Sequence, residues 1–234
     1  MRKVWNKGLT KSDNPSVRKI SETMRLRRID NFKTWRERMK RQGKIKSTYE
    51  PFEKDGDLAE LIGVVLGDGH IRAFPRCECL RIVGSGDNRG FAKRYSTLIE
   101  QVFSKKPTVV RRSNSNAFNI SIYEKHIAAR LKVPAGSRHD YNFILPAWIR
   151  ARPAYTIRFL RGLYEAEGSL HFHAGTYTHK FLFSNANPAL LDVVFRCVKK
   201  LGFHPHRSRF KIQVSRKDEV QKLANLLQFR RYKS

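Results

Sequence analysis

Leu61-Ile-Gly-Val-Val-Leu-Gly-Asp68-Gly69 and Leu160-Arg-Gly-Leu-Tyr-Glu-Ala-Glu167-Gly168 share one pattern in distant parts of the chain. Each is an apolar run with small residues four apart, Gly63 and Gly67 in the first, Gly162 and Ala166 in the second. Residues four apart share a helix face, and small ones there let two helix backbones approach closely. Each run then delivers one carboxylate, followed at once by a glycine. That glycine is expected to adopt the left-handed backbone that ends a helix. Two such helices side by side would bring Asp68 and Glu167 together at their lower ends. An acid at a helix C-terminus opposes the helix dipole, so its presence in both runs points to chemistry rather than decoration.

Charge narrows the chemistry. The chain has 234 residues with 48 Lys or Arg against 20 Asp or Glu, a net charge of +28. Charge of that size opposes compaction and implies a polyanionic partner, nucleic acid before a ribosomal scaffold or a membrane surface. Paired carboxylates on a basic chain suggest a magnesium site acting on nucleic acid. No apolar run approaches a membrane span, and the N-terminus lacks a signal-peptide pattern. Three cysteines do not form a disulfide framework. The expectation is an intracellular protein, of the cytoplasm or nucleoid, or of an organelle.

Residues 1–50 carry a surplus of positive charge and read as a basic N-terminal arm or DNA-binding module, with helices over 16–28 and 32–41 behind sparse apolar stripes. A partly disordered arm is the competing reading. From residue 51 the order of elements repeats. After Gly69 come strands at 71–74 and 78–84, a helix at 88–103, strands at 108–112 and 118–122, and a helix at 124–131. After Gly168 come strands at 170–173 and 179–184, a helix at 188–201, strands at 204–206 and 210–214, and a helix at 217–227. The segment beginning Arg81-Ile-Val matches the one beginning Phe181-Leu-Phe, and Asn119–Lys125 matches Lys211–Lys217. The fold class is therefore α+β, two pseudo-symmetric αββαββα repeats at 51–132 and 154–234 joined by a linker at 133–153. Their antiparallel sheets are expected to form a saddle whose polar face grips a duplex, since two-stranded β elements fit the major groove. Arg72, Arg81, Arg111, Arg112, His171, His173, Lys180, Arg207, Arg209 and Lys211 are the candidate DNA contacts.

The paired nonapeptides resemble the motifs of LAGLIDADG homing endonucleases in their single-chain, two-motif form, over roughly residues 51–234. Ile144-Leu-Pro-Ala-Trp-Ile149, ahead of the second motif, belongs to that resemblance. Residues 5–30 resemble nuclease-associated modular DNA-binding segments. The resemblance implies that the motif helices pack through Gly63, Gly67, Gly162 and Ala166, and that the sheets bind a long asymmetric DNA site. It also implies that Asp68 and Glu167 ligate divalent metal, Mg2+ with Mn2+ able to substitute, with backbone carbonyls of Gly67 and Ala166 as further ligands. Leu66 stands where the first motif usually has an acid and the second has Glu165, a position that does not normally ligate metal.

Hydrolysis of a phosphodiester needs an activated water, charge stabilisation and help for the leaving oxygen, which bound metal can supply. Magnesium keeps several waters and needs few carboxylates, so one acid from each repeat is a sensible minimum. Lys125 and Lys217, matched at the start of each final helix, are candidate active-site cations, with Arg216 competing for the second place. Zinc is disfavoured: His171 with His173 and Cys77 with Cys79 lack a complementary ligand pair. No Ser-His-Asp order, phosphate-binding glycine loop or nucleotide fingerprint is present. The expected activity is metal-dependent, site-specific cleavage of both strands of double-stranded DNA by a monomer serving intron mobility. The alternative is a non-cleaving binder on the same fold, an intron RNA maturase or a transcription regulator.

Overall fold

A computed structural model describes residues 5–232, without the side chains of His173 and Thr176. The chain divides into two units, Met1–Tyr49 and Glu50–Ser234. In the first, α1 (Pro15–Leu26) begins where Asn14 turns its side-chain oxygen onto the amides of Ser16 and Val17, at 2.9 and 3.2 Å. Pro15 at the first helical position needs no donor there. A short turn leads to α2 (Lys33–Arg41), and neither helix buries a residue. The apolar stripes read in the sequence therefore form no core within this unit.

The second unit starts with α3 (Gly56–Gly67), capped by Asp55 through the Leu58 amide at 2.8 Å. It runs into β1 (Gly69–Ala73), and β2 (Glu78–Ser85), α4 (Arg89–Phe103), β3 (Thr108–Arg111), β4 (Ala117–Glu124) and α5 (Ile127–Leu131) complete the first repeat. The linker contains a short helix, α6 (Ala147–Ala151). The second repeat follows as α7 (Pro153–Glu167), β5 (Gly168–His173), β6 (Thr178–Ser184), α8 (Pro188–Lys200), β7 (His206–Ser208), β8 (Lys211–Val214) and α9 (Lys217–Leu226). The architecture is α+β with two four-stranded antiparallel sheets, ordered β1-β2-β4-β3 and β5-β6-β8-β7. None of the described helices is long and apolar enough to cross a membrane.

Each sheet puts its apolar side under the helices. Ile71, Leu80, Ile82, Ile120 and Ile122 from the first, and Phe181, Phe183, Ile212 and Val214 from the second, join one hydrophobic core with α3, α4, α7, α8 and α9. Strand alternation leaves most of the opposite, outer face to polar and basic residues. α3 is buried on all sides, Leu58 through Leu66 without interruption, as expected of a helix enclosed by protein.

The structure corrects three expectations of register and element bounds. Gly69 pairs with Ile82 and Gly168 with Phe183, so Phe183, not Leu182, is the counterpart of Ile82. The second hairpin is longer by two residues, and a one-residue slip exchanges the faces of a strand. Leu182 accordingly faces outward beside Ser169 and Gln213. Helix α5 starts at Ile127 rather than 124 because His126 adopts φ 58, outside the helical region. Strand β7 lies at His206–Ser208, two residues beyond the expected 204–206.

Candidate metal and nucleic-acid site

Helices α3 and α7 meet backbone to backbone. A Cβ placed on Gly63 would lie 2.2 Å from the Phe159 carbonyl oxygen, and one on Gly162 would lie 2.1 Å from that of Glu60. Lower down, a Cβ on Gly67 would lie 2.5 Å from Ala166 Cβ and 3.2 Å from Glu167 Cγ. The four small residues predicted at this interface are thus all part of the helix pairing. Their absence of bulk is what brings the two motif ends together.

Asp68 follows α3 directly and Glu167 is the last residue of α7. Both are half-buried. Burial and the adjacent Glu167 carboxylate together push the Asp68 carboxyl up to about 7, and burial raises Glu167 as well. Two carboxylates so close, partly stripped of water, favour any ligand that brings positive charge between them. Gly67 and Ala166 occupy the last helical turns, where carbonyls lack helical partners. Among the described residues no group of three or more His, Cys, Asp or Glu side chains forms a metal site. A cation here would rest on these two acids, with backbone, water or DNA oxygens completing its shell. That donor set suits magnesium or manganese, which take oxygen ligands and retain waters, and not structural zinc.

The trailing glycines serve a different purpose from the one expected. Gly168 has φ −87, and Gly69 is not among the residues with positive φ. A Cβ on Gly69 would lie 2.5 Å from Val65 Cα, and one on Gly168 would lie 2.3 Å from the Tyr164 carbonyl oxygen. The chain turns back over the last helical turn so tightly that only glycine fits, and this tight exit aims the preceding carboxylate.

Lys125 and Lys217 are not brought to the carboxylates. Gly69 is level with Ile82 and Ile120, and Gly168 with Phe183 and Ile212. Each lysine follows its level residue by five positions and lies past the end of its strand, Lys125 directly after β4 and Lys217 at the start of α9. The two are symmetric, as their matched sequences suggested, but distant from the acids.

Strand parity also sorts the candidate DNA contacts. Arg72 and Arg81 point to the outer face of the first sheet, and Arg112 joins them there through Nε donating to Asn119 Oδ1 at 3.1 Å. Arg111 does not, because it pairs with Phe118, whose ring is buried on the helix side. In the second sheet His171 and Lys180 are outward partners, and Lys211 shares their face. The His173 side chain lies outside the described residues. Arg207 pairs with buried Ile212 and forms an ion pair with Asp192 of α8, so it braces the helix layer. Arg209 sits in the β7–β8 turn with its guanidinium 4.9 Å from the Phe210 ring.

Three further charged residues shape this region, and of these the sequence marks only Glu165, as a motif acid. Glu60, fully buried on α3, receives Arg94 at 2.7 and 2.8 Å and also Arg158 of α7, tying the helices at the end away from Asp68. Glu165 is buried too; it accepts from the Arg230 amide and the Tyr232 hydroxyl, at 2.5 Å each. It anchors the C-terminal segment and is not part of the carboxylate pair. Arg138 of the linker donates to the Gly69 carbonyl, while its Nη1 is buried without a protein hydrogen-bond partner. The Gly136 amide donates to the Ile71 carbonyl at 2.9 Å, so the linker runs along the free edge of β1 and covers it.

No protein-family model matches the chain, and no curated protein matches it either. Solved structures do match. The homing endonuclease I-DmoI, in a study of mesophilic variants, is 20% identical, with 74% of this chain and 94% of that chain covered at a TM-score of 0.51. I-WcaI, a homing endonuclease bound to its DNA recognition sequence, is 14% identical with 85% and 88% covered and a TM-score of 0.55. The N-terminal LAGLIDADG domain of DUF199/WhiA is 13% identical, with 75% and 82% covered and a TM-score of 0.50. I-DmoI has also been solved in complex with DNA and Mn. At these identities the likeness is one of fold, and the fold is that of the LAGLIDADG homing endonucleases in single-chain form.

Proposed function

We propose that this protein is a divalent-metal-dependent endonuclease that cuts both strands of a specific double-stranded DNA site. The observation that carries the reading is the convergence of Asp68 and Glu167 at the bottom of the α3–α7 pair, held where both carboxyls are raised. Such a pair costs stability unless a cation joins it, which is the signature of a site built for function. The basic outer faces of the two sheets supply the complement to a duplex.

In this reading Asp68 and Glu167 hold Mg2+, with Mn2+ able to substitute, and the metal would lower the pKa of a bound water and stabilise charge on the scissile phosphate. Each carboxylate belongs to one repeat, so the two strands are addressed from opposite sides of one centre. Gly63 and Gly162 set the separation of the acids. Outer-face arginines and histidines position the backbone and read base edges. Fold-sharing with the structures of I-DmoI and I-WcaI supports the same substrate class. Intron mobility, action as a monomer and an intracellular site of action follow from this reading.

The deciding experiment selects bound duplexes from a random DNA library and incubates them with Mg2+. Cleavage of both strands at one position is expected. Asp68→Asn and Glu167→Gln should each abolish it while binding stays within about tenfold, because the phosphate contacts persist. Binding without cleavage by the wild-type chain in Mg2+ and Mn2+ would replace the nuclease by the non-cleaving binder, for which intron RNA is the partner to try next.

A further inference from the structure

The outer face of the first sheet is not uniformly polar. Arg72 pairs with Cys79, and Cys79 with Tyr123, across three adjacent strands, and Phe74 follows two positions after Arg72 on the same side. The Phe74 and Tyr123 rings lie 6.2 Å apart, and the Arg72 guanidinium sits 5.0 Å from the Phe74 centroid. Cys79, between Arg72 and Tyr123, is only 3% exposed although it points away from the core. Phe74 and Tyr123 themselves remain 38% and 47% exposed, and neither belongs to the hydrophobic core. Two aromatic rings thus lie side by side on a basic face, exposed and outside the hydrophobic core.

We propose that Arg72, Phe74 and Tyr123 form a base-reading patch specific for a thymine next to a guanine. This rests on the DNA-binding reading above and names part of its target. In the major groove thymine alone among the four bases presents a methyl group, and apolar side chains read it by contact. Guanine presents two acceptors that suit the arginine fork. Arg72 holds its guanidinium carbon 5.0 Å from the Phe74 ring centroid, within cation–π range, so one patch offers an apolar surface and a donor fork together. Arg72 and Phe74 follow Gly69 by three and five residues, roughly 10–17 Å along β1. That distance corresponds to about three to five base pairs from the metal centre, at about 3.4 Å per pair.

The corresponding level of the second sheet carries His171 and Lys180 on its outer face instead. The Phe172 ring alternates to the opposite side, 5.1 Å from His179. The thymine preference therefore belongs to one half-site, which makes the target asymmetric and fixes which repeat sits on which half.

The test selects duplexes from a random library with the full chain, then measures affinity for the selected site with single thymines replaced by deoxyuridine, which removes only the methyl group. A thymine beside a guanine is expected about three to five pairs from the centre in one half only. Its replacement should weaken binding by about three- to fivefold, the worth of one buried methyl. Phe74→Ser and Tyr123→Ser, both at exposed positions, should lose that sensitivity, and Arg72→Ala should lose the guanine preference. A selected site with no thymine there, or one whose deoxyuridine form binds equally well, overturns the assignment without touching the nuclease reading. A library that yields no selected site overturns the DNA-binding reading and this one with it.

Discussion

Asp68 illustrates how a single residue can oppose the fold it belongs to. Its carboxyl is raised to about 7 from an ordinary value of 3.8, by burial first and by Glu167 second. A carboxyl whose folded pKa exceeds its unfolded one binds its proton more tightly in the folded state. It therefore costs no stability below the unfolded pKa, an increasing amount as pH rises, and its full cost above 7. A displacement of that size is worth at most about 4 kcal/mol, and solvent at this half-buried position screens it to about 1–2 kcal/mol. Asp68→Asn should accordingly raise the melting temperature of the metal-free protein at pH 8 and leave it unchanged near pH 4, while abolishing cleavage. Melting curves across that range decide it. A variant no more stable than wild type at pH 8 would mean that neither burial nor Glu167 makes the ionised Asp68 carboxylate costly to the fold. In wild type, added Mg2+ should supply at pH 8 the stabilisation that the substitution gives, and should do little for the variant.

At the scale of elements, the α3–α7 pair is where a usual rule reverses. Gly→Ala in a helix interior ordinarily stabilises by about 1 kcal/mol, because glycine has the greater freedom to lose. At Gly63 and Gly162 the added Cβ would meet a facing carbonyl oxygen at 2.2 and 2.1 Å, so the helices must separate. Each Gly→Ala is expected to destabilise by about 1–3 kcal/mol, read as a lower denaturant midpoint, and to reduce cleavage more than binding because the acids move apart. The sequence made this pairing legible: small residues four apart on two apolar runs have few other uses. The repeated order of elements was legible for the same reason, since each repeat needs strands and helices in one succession to cover its core. What could not be read was register. Lys125 and Lys217 match each other well, yet each lies past the end of its strand, five positions beyond the residue level with the glycine that follows the acid. Arg111 and Arg207 carry the right charge, but their pairing with Phe118 and Ile212 turns them from the outer face, Arg111 onto Asn116 and Arg207 onto Asp192 of α8. Register depends on hairpin length, and the second hairpin exceeds the first by two residues with no turn signal to announce it. The sequence marks Gly69 and Gly168 as helix-ending residues, but what requires glycine there is closeness to the preceding turn and not backbone angle. Arg138 and Glu60 acquire partners only through tertiary folding, and no local pattern marks them.

On the scale of the whole molecule, the N-terminal unit and the repeat unit make separable contributions. The hydrophobic core begins at Phe52 and includes neither Trp5 nor Trp35, which are 61% and 47% exposed. A chain starting at Thr48 should therefore fold and keep the Asp68–Glu167 pair. Residues 1–47 nevertheless carry all 16 of the Lys and Arg found in the first fifty positions, one third of the 48 in the chain. Neither α1 nor α2 has a buried residue, so their charged side chains are free of packing demands. If the unit neutralises phosphates, truncation should flatten the slope of log affinity against log salt by about 0.9 for every phosphate it leaves uncovered. Three or four such phosphates would shallow the slope by about 3 and weaken binding most at low salt. Cutting should occur at the same phosphates, because the metal centre and both sheets remain, but should require more enzyme. Binding of the full and shortened chains across a salt series measures this directly. An unchanged slope would show that the unit does not engage DNA, and its charge would then call for a different polyanion; an insoluble shortened chain would show that the repeat unit depends on residues outside its own core.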